Sequence, residues 1–237
     1  MTSFESVSTW KQPKAGISSE SRALMIGDIA SKIANLSKCR LRVAIDGRTA
    51  SGKTTFGDEL AAALRLLGRS TLRTSLDDFK KTWRDAKEKG YDRTSGEGYY
   101  RNAYDFESAR ELLLKPAGSE GSGQIVLCAH DPLTGQDHRN VFVTSSDEAI
   151  LIVDSVFAFR PEYNVFWDFR IWIEVSPQVA LERGIARDSD AEGFEAATFV
   201  HRYRYGVAEE IYIEEVNPCA LADVRIDNTD FARPLIL

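Results

Sequence analysis

Cysteine is scarce in this chain of 237 residues: there are three, Cys39, Cys128 and Cys219. Their number is odd and they lie far apart, which excludes a disulfide framework and the close spacing of a metal site, and predicts small buried thiols in a reducing compartment. Long apolar runs are also missing, since none approaches the roughly 20 residues that a membrane helix needs. Residues 1–17 lack the apolar core and cleavage pattern of a secretion signal. They read as a flexible leader, and the chain is expected to stay in the cytoplasm. Nor is there an excess of positive charge: 30 Lys and Arg stand against 36 Asp and Glu, for a net charge of −6. A nucleic-acid backbone and an anionic membrane are therefore not expected partners.

What is present suits one core. With 43% hydrophobic residues, the chain can form a single domain over 18–237. Apolar residues recur at helical spacing over about 19–36, and short apolar runs then alternate with helical patterns. The runs are "LRVAID", "STLRTSL", "QIVLCAH", "AILIVD", "FRIWIEV" and "DVRID"; the helices cover 54–67, 105–114, 177–188 and 195–215. Because the runs are apolar throughout, they predict strands covered on both faces: an α/β fold with a mostly parallel central sheet and helices on both sides. Residues 116–123 read as a flexible loop. Residues 80–103 are polar and irregular, too long for a plain connector. Their acids offset their bases, and their aromatics Trp83, Tyr91, Tyr99 and Tyr100 suit an insert that folds over a small molecule.

The run Gly47-Arg48-Thr49-Ala50-Ser51-Gly52-Lys53-Thr54 follows a predicted strand and opens a predicted helix. That is the context a phosphate-binding loop requires. Its glycines let backbone N–H groups converge on phosphate oxygens, and the helix adds its positive end. Lys53 supplies a charge to the outer phosphates and the Thr54 hydroxyl a ligand for Mg²⁺. Thr55 extends this run or packs beneath it.

In open α/β sheets the ligand sits beyond the carboxyl ends of the strands, where this chain has Asp46, Asp77, Asp78, Asp131 and Asp154. Asp154 closes "AILIVD" as a metal-side acid would, and Ser155 follows in place of the second acid that an ATPase motor carries. Asp77 is placed to accept a proton from a hydroxyl beside the γ-phosphate. Asp78 is the alternative, and either acid could instead cap the turn that follows. Arg183 and Arg187 share one helix face, as a lid that neutralises a migrating phosphoryl group would need, or as solvated surface charge. His201 has the look of an ordinary helix residue.

Jointly, "IDGRTASGKTTF", "SLDDF", "GYYRNAYDFESARELLL", "DSVFAFRPEYNVFWDFRIWIEVSPQVALERGIARD" and "RYRYGVAEEIYIEEVNPCALADVRIDNTD" resemble the uridine kinase and phosphoribulokinase group of P-loop kinases, in its uridine kinase-like bacterial branch. The likeness spans about residues 40 to 230. It implies a P-loop kinase fold with a small helical lid over about 177–200. The implied activity is Mg²⁺-dependent transfer of the γ-phosphate of ATP to a hydroxyl of a nucleoside such as uridine or cytidine. Asp77 matches the catalytic base, Asp154 the metal-side carboxylate, and Arg183 and Arg187 the lid arginines; Asn228 would lie beside the adenine.

The acceptor side departs from the pattern. Tyr99 stands where nucleoside kinases carry an acid for the ribose hydroxyls, with Asp105 after it either as a second acceptor contact or as the cap of the helix that follows. His130 replaces a tyrosine and Asp131 remains, while His138 and Arg139 are either acceptor contacts or part of a surface loop. A sugar, a sugar acid, pantothenate or a ribosylated vitamin therefore stays open as acceptor, as does a catalytically silent nucleotide-binding regulator. The expected partners are a small hydroxyl compound and, because members of the group often assemble, a second copy in a homo-oligomer.

Overall fold

A computed structural model describes residues 3–10 and 18–237. In chain order its elements are β1 (Ser3–Glu5), α1 (Glu20–Ala34), β2 (Leu41–Gly47), α2 (Lys53–Leu66), β3 (Thr71–Ser75), α3 (Trp83–Lys89), α4 (Gly96–Asn102) and α5 (Phe106–Ser108). There follow β4 (Gln124–Val126), β5 (Phe142–Thr144), β6 (Ile150–Ser155), α6 (Pro161–Asn164), β7 (Phe169–Glu174), α7 (Pro177–Glu192), α8 (Phe194–Val200), α9 (Gly206–Val216), α10 (Pro218–Leu221), β8 (Val224–Asp227) and β9 (Leu235–Ile236).

The main sheet runs β1-β3-β6-β2-β7-β8-β9. It is parallel from β1 to β8, and only β9 is antiparallel. The mostly parallel α/β architecture read from the apolar runs is thus the one observed. β2 lies between β6 and β7, in register Ile45↔Asp154 and Ile45↔Ile171, so the loop leaving β2 emerges at the middle of the sheet's carboxyl edge. One apolar layer joins the sheet to α1 and α2 through Ile29, Ile33, Phe56, Leu60 and Leu64. The other buries Tyr99, Tyr100, Phe157, Tyr163 and Tyr212 beneath α4 and α9.

Local chemistry sets the helix ends. The Ser19 side chain accepts from the Arg22 N–H to start α1, and Ser176 with Pro177 starts α7. Thr82 and Asp85 close a reciprocal capping box on α3. The helix expected over 195–215 is observed as α8, a π-helical segment over His201–Tyr205, and α9. The one expected over 105–114 begins as α5 and continues as a π-helix, Ala109–Leu114.

Several expectations need correction. Ser3–Glu5 of the supposed leader is an edge strand, pairing Phe4 with Leu72. Beyond it, Thr9 gives its N–H and hydroxyl to Asp131 at 2.6 and 3.0 Å. Hydroxyl groups dock this segment beside a single packed aromatic, Phe4, so its polar composition suggested looseness. Residues 1–2 and 11–17 lie outside the described residues. "QIVLCAH" does not join the main sheet: β4 pairs antiparallel with β5 in a separate two-stranded sheet. The insert 80–103 is not irregular, since it holds α3 and α4. The 116–123 loop is tied down by Arg40, whose guanidinium donates to the carbonyls of Gly118, Ser119 and Gly121. Cys128 is buried as expected, but Cys39 is exposed and Cys219 half-buried. No helix among the described residues is long and apolar enough to cross a membrane.

Arg22 is a second core element that patterning hides. It is fully buried, pairs with Glu59 at 2.8 Å, donates to Asn228 Oδ1 at 2.8 Å and lies 4.1 Å from the centre of the Phe231 ring. Removing one partner of such a pair strands the other. Arg22→Ala is expected to cost about 3–5 kcal/mol of stability and to lower the melting temperature by roughly 10 °C. An unchanged melting temperature in calorimetry would show that α1 does not depend on this tie.

Candidate active site

The residues that follow β2 form a cradle whose backbone only glycine permits at two points. Gly47 has φ +155°, and a Cβ there would meet the Ile173 carbonyl oxygen at 2.5 Å. Gly52 has φ +95°, and its Cβ would meet Asn228 Nδ2 at 2.6 Å. No side chain caps the first turn of α2, so its N–H groups remain open toward the cavity in front, the arrangement that binds phosphate. Lys53 Nζ bends over the loop to the Arg48 carbonyl at 2.6 Å. Burial pulls its pKa down, against the attraction of Asp154, Glu209, Asp46 and Asp77.

Buried side chains hold this backbone from behind. Asp46 accepts the Gly47 N–H at 2.7 Å, and burial pushes its carboxyl up to about 7 although Tyr212, Gly47 and Phe159 all donate to it. Asn228 donates from Nδ2 to the Ser51 carbonyl at 2.7 Å. Glu209 accepts the Thr49 N–H at 2.6 Å and pairs with Arg48 at 3.4 Å. Asn228, which the resemblance places beside the adenine, is fully buried and braces the loop.

In front of the cradle lies a cavity of about 1010 Å³, lined among others by Lys53, Thr54, Thr55, Asp77, Asp154, Arg183 and Arg187. It opens at the carboxyl ends of β2, β3 and β6, as expected for this class of sheet. The Thr54 hydroxyl donates to Asp154 Oδ2 at 2.8 Å, while Asp154 Oδ1 pairs with Arg73 at 2.6 Å. Hydroxyl and carboxylate oxygens thus converge beside the cradle. Mg²⁺ takes one or two protein oxygens and completes its shell with phosphate and water, so this pair fits it. No group of three or more His, Cys, Asp or Glu among the described residues could hold a metal by itself.

Asp77 sits in the turn after β3 and faces the same cavity. Burial alone would raise its carboxyl, but Lys80 Nζ and the Tyr104 hydroxyl, each at 2.9 Å from Oδ1, outweigh it and hold Asp77 below its ordinary value. Asp78, the alternative, is directed away. It is 3% exposed, accepts from Thr74 Oγ1 at 3.1 Å, and is pushed up to about 6 by burial against the hydroxyls of Ser6 and Ser8.

The remaining expected residues divide. Arg183 and Arg187 do line the cavity: Arg183 donates to the carbonyls of Asn228 and Thr229 at 3.1 and 2.7 Å, and Arg187 pairs with Asp188 at 2.7 Å. His201, which resembled any helix residue, is buried and bonds Asp188 at 2.7 Å from Nε2, tying the π-segment to α7. A Cβ on Gly184 would lie 2.3 Å from the His201 ring. Tyr99 and His130 line the cavity, as does Asp131, but both Asp131 oxygens are taken by N–H groups and the Thr9 hydroxyl. Asp105 caps α5 through Ser108, Arg139 pairs with Asp137 on the surface, and His138 does not reach the cavity. The residues that sequence reading missed are Lys80, Tyr104, Arg73 and Glu209. Only Lys80 carried a local signal, three positions after Asp77.

No protein-family model and no curated protein matches this chain. Among solved structures it is similar to that of a possible uridine kinase from Bacillus stearothermophilus, with 26% identity and a TM-score of 0.66 over 84% of this chain and 96% of the other. A candidate fructose transport system kinase from Silicibacter sp. gives 20% identity and a TM-score of 0.62, over 80% of this chain and 94% of that one. A D-glycerate 3-kinase from Cryptococcus neoformans gives 14% and 0.53, over 79% and 86%. The last two likenesses are of fold alone. The sheet, the cradle and these neighbours show the P-loop kinase fold, and the chain is similar to a uridine kinase-like structure of that fold.

Proposed function

We propose that this protein transfers the γ-phosphate of ATP to a hydroxyl group of a small molecule. The observation that carries the reading is one cavity joining the glycine cradle and Lys53, the Thr54–Asp154 oxygen pair, and the carboxylate Asp77. An acceptor hydroxyl beside Asp77 gives up its proton to that carboxylate, its oxygen bonds to the γ-phosphorus, and ADP leaves. Lys53 and the cradle N–H groups hold the nucleotide. Arg183 and Arg187, on a lid formed by α7 and α8, face the group in transit. Mg²⁺, held by Thr54 and Asp154, would neutralise charge on the phosphates. Lys80 and Tyr104 keep the base ionised and aimed, for which a silent nucleotide-binding regulator has no use.

The nucleoside acceptor has less support than another hydroxyl compound. Tyr99, standing where the ribose acid is expected, is 4% exposed and packed edge-on to Phe157 at 5.8 Å between ring centres. Asp105 is committed to a helix cap and Asp131 to backbone N–H groups. No free carboxylate among these is left to clamp a ribose diol.

Two outcomes are expected. Asp77→Asn retains ATP binding in calorimetry and loses about 10²- to 10⁴-fold in turnover, whereas Gly52→Ala loses ATP binding itself; equal turnover by Asp77→Asn and the parent would remove Asp77 as the base. Because its pKa is depressed, Asp77 is ionised above that value, and activity falls only as pH drops through it, below the ordinary carboxylate range. Lys80→Met removes the strongest opposing charge, so burial lifts the carboxyl and the acid limb of kcat/KM moves to higher pH. A limb that stays in place would show that the Lys80 pair does not set it.

A further inference from the structure

The acids that line the cavity are engaged almost without exception. Asp77 is held by Lys80 and Tyr104, Asp85 by Thr82 and Lys89, Asp131 by Thr9, Asp137 by Arg139, Asp154 by Thr54 and Arg73, and Asp188 by Arg187 and His201. Among the described residues, only Glu192, exposed at the end of α7, has no such partner.

The cations at the acceptor end are not balanced in this way. Arg93 is 4% exposed, and among the described residues its guanidinium bonds from Nη1 to the Lys81 carbonyl. Arg204 projects from the π-segment beside it. The Nε atoms of both guanidiniums are buried without a partner. Among the described residues neither has a carboxylate at ion-pair distance. Both stack on one indole, with Arg93 Cζ 4.4 Å and Arg204 Cζ 5.4 Å from the centre of Trp83, and they repel each other enough to help lower the pKa of Arg93.

Stacking offers a guanidinium a face, but it satisfies no N–H and cancels no charge. One buried and one half-buried guanidinium, each with an unpartnered Nε, in one wall of a substrate cavity match a planar or tetrahedral anion that accepts several N–H bonds at once. The position follows from a shared ring. Lys80 Nζ, bonded to the proposed base, lies 5.3 Å from the centre of Tyr99, and Arg204 Cζ lies 4.6 Å from it. The reacting hydroxyl and the charged end therefore sit about one aromatic ring apart, which limits the acceptor to a few bonds between them.

Resting on the phosphotransferase reading above, we infer that the acceptor is a small hydroxy acid or phosphate ester, whose anionic group binds between Arg93 and Arg204 while its hydroxyl lies at Asp77. Carboxylate and phosphate share this chemistry, and substrate turnover separates them.

The test measures ADP release that depends on Asp77, with D-glycerate and gluconate as carboxylates, ribose 5-phosphate as a phosphate ester, and ribose, glucose and uridine as neutral counterparts. Binding of each is read in parallel by calorimetry in the presence of a non-hydrolysable ATP analogue. Turnover is expected with an anionic compound and not with its neutral counterpart. Arg93→Gln and Arg204→Gln should each raise KM for that compound by about 10- to 100-fold, leaving KM for ATP as in the parent, and Arg204→Lys should recover part of the loss. Unchanged KM for ATP certifies that the variants fold. Efficient turnover of a neutral acceptor, with KM indifferent to both arginines, would overturn the inference and leave the kinase reading standing. Binding of an anionic compound that depends on the arginines, without turnover, would keep the site and overturn the kinase reading. Neither binding nor turnover by any of the six would overturn both.

Discussion

The hydrogen bonds that buried side chains make to the backbone of the loop after β2 set the geometry on which the rest of the site depends. Asp46 takes the N–H of Gly47, Glu209 that of Thr49, and Asn228 gives to the carbonyl of Ser51. They come from β2, from α9 and from the turn after β8, so the loop is fixed only when the whole sheet and its flanking helix are assembled. Each is a polar group at a depth where an unmade bond is costly, and together they admit one loop conformation. Donors held in place before the phosphate arrives do not reorganise when charge develops on it, and that is the main electrostatic advantage a folded site has over water. Arg22 extends the network outward by fixing Asn228 Oδ1, and Arg183 draws on the carbonyls of Asn228 and Thr229. The last parallel strand thereby joins the cradle to the helix carrying the cavity arginines.

Much of this was legible in the sequence where the signal was local. The cradle announces itself because glycine is required at fixed offsets between a strand and a helix. The parallel sheet does so because buried strands read as unbroken apolar runs. Asp77 and Asp154 could be placed because a strand end is a position in sequence as well as in space. Pairings between strands were not legible. Arg73 meets Asp154 only because β3 is hydrogen-bonded to β6, and Glu209 meets Thr49 only because α9 covers the far side of the loop. Tyr104 reaches Asp77 across 27 positions of sequence. Residues 3–10 misled for a different reason. Their serines and threonine satisfy the buried acids Asp78 and Asp131, so the same composition that marks a loose segment here closes the back of the site. The sequence offers Asp78 as the alternative base, and the resemblance carries Asp105 and Asp131 toward the acceptor, whereas in the structure the three bond to hydroxyls and N–H groups of the fold.

Electrostatics divide the cavity into two unlike halves. On the nucleotide side, cations and anions are interleaved: Lys53 is surrounded by Asp46, Asp77, Asp154 and Glu209, whose attraction opposes, without overcoming, the burial that lowers its pKa. Such a balanced set can receive a polyanion and a divalent cation together without leaving a large residual charge. On the acceptor side Asp137 is neutralised by Arg139 on its own loop, while Arg93 and Arg204 line the space against aromatic rings, with no carboxylate at ion-pair distance among the described residues.

The two halves also differ in how they are built, and this bears on where change is tolerated. Cradle residues are locked to partners far away in sequence, so substituting one leaves a buried group stranded in another element. The acceptor wall is made of short helices that carry their own caps: Ser95 on α4 and the Thr82–Asp85 box on α3 are each closed within a few residues. A segment stabilised by its own caps and by aromatic packing against Phe157 and Tyr205 can exchange the residues that face the cavity without disturbing the sheet. Arg93, which lies between α3 and α4, and Arg204, which lies in the π-segment, are in such positions. On the proposed reading, changing them would alter which acceptor is admitted while the phosphate cradle and Asp77 stay as they are.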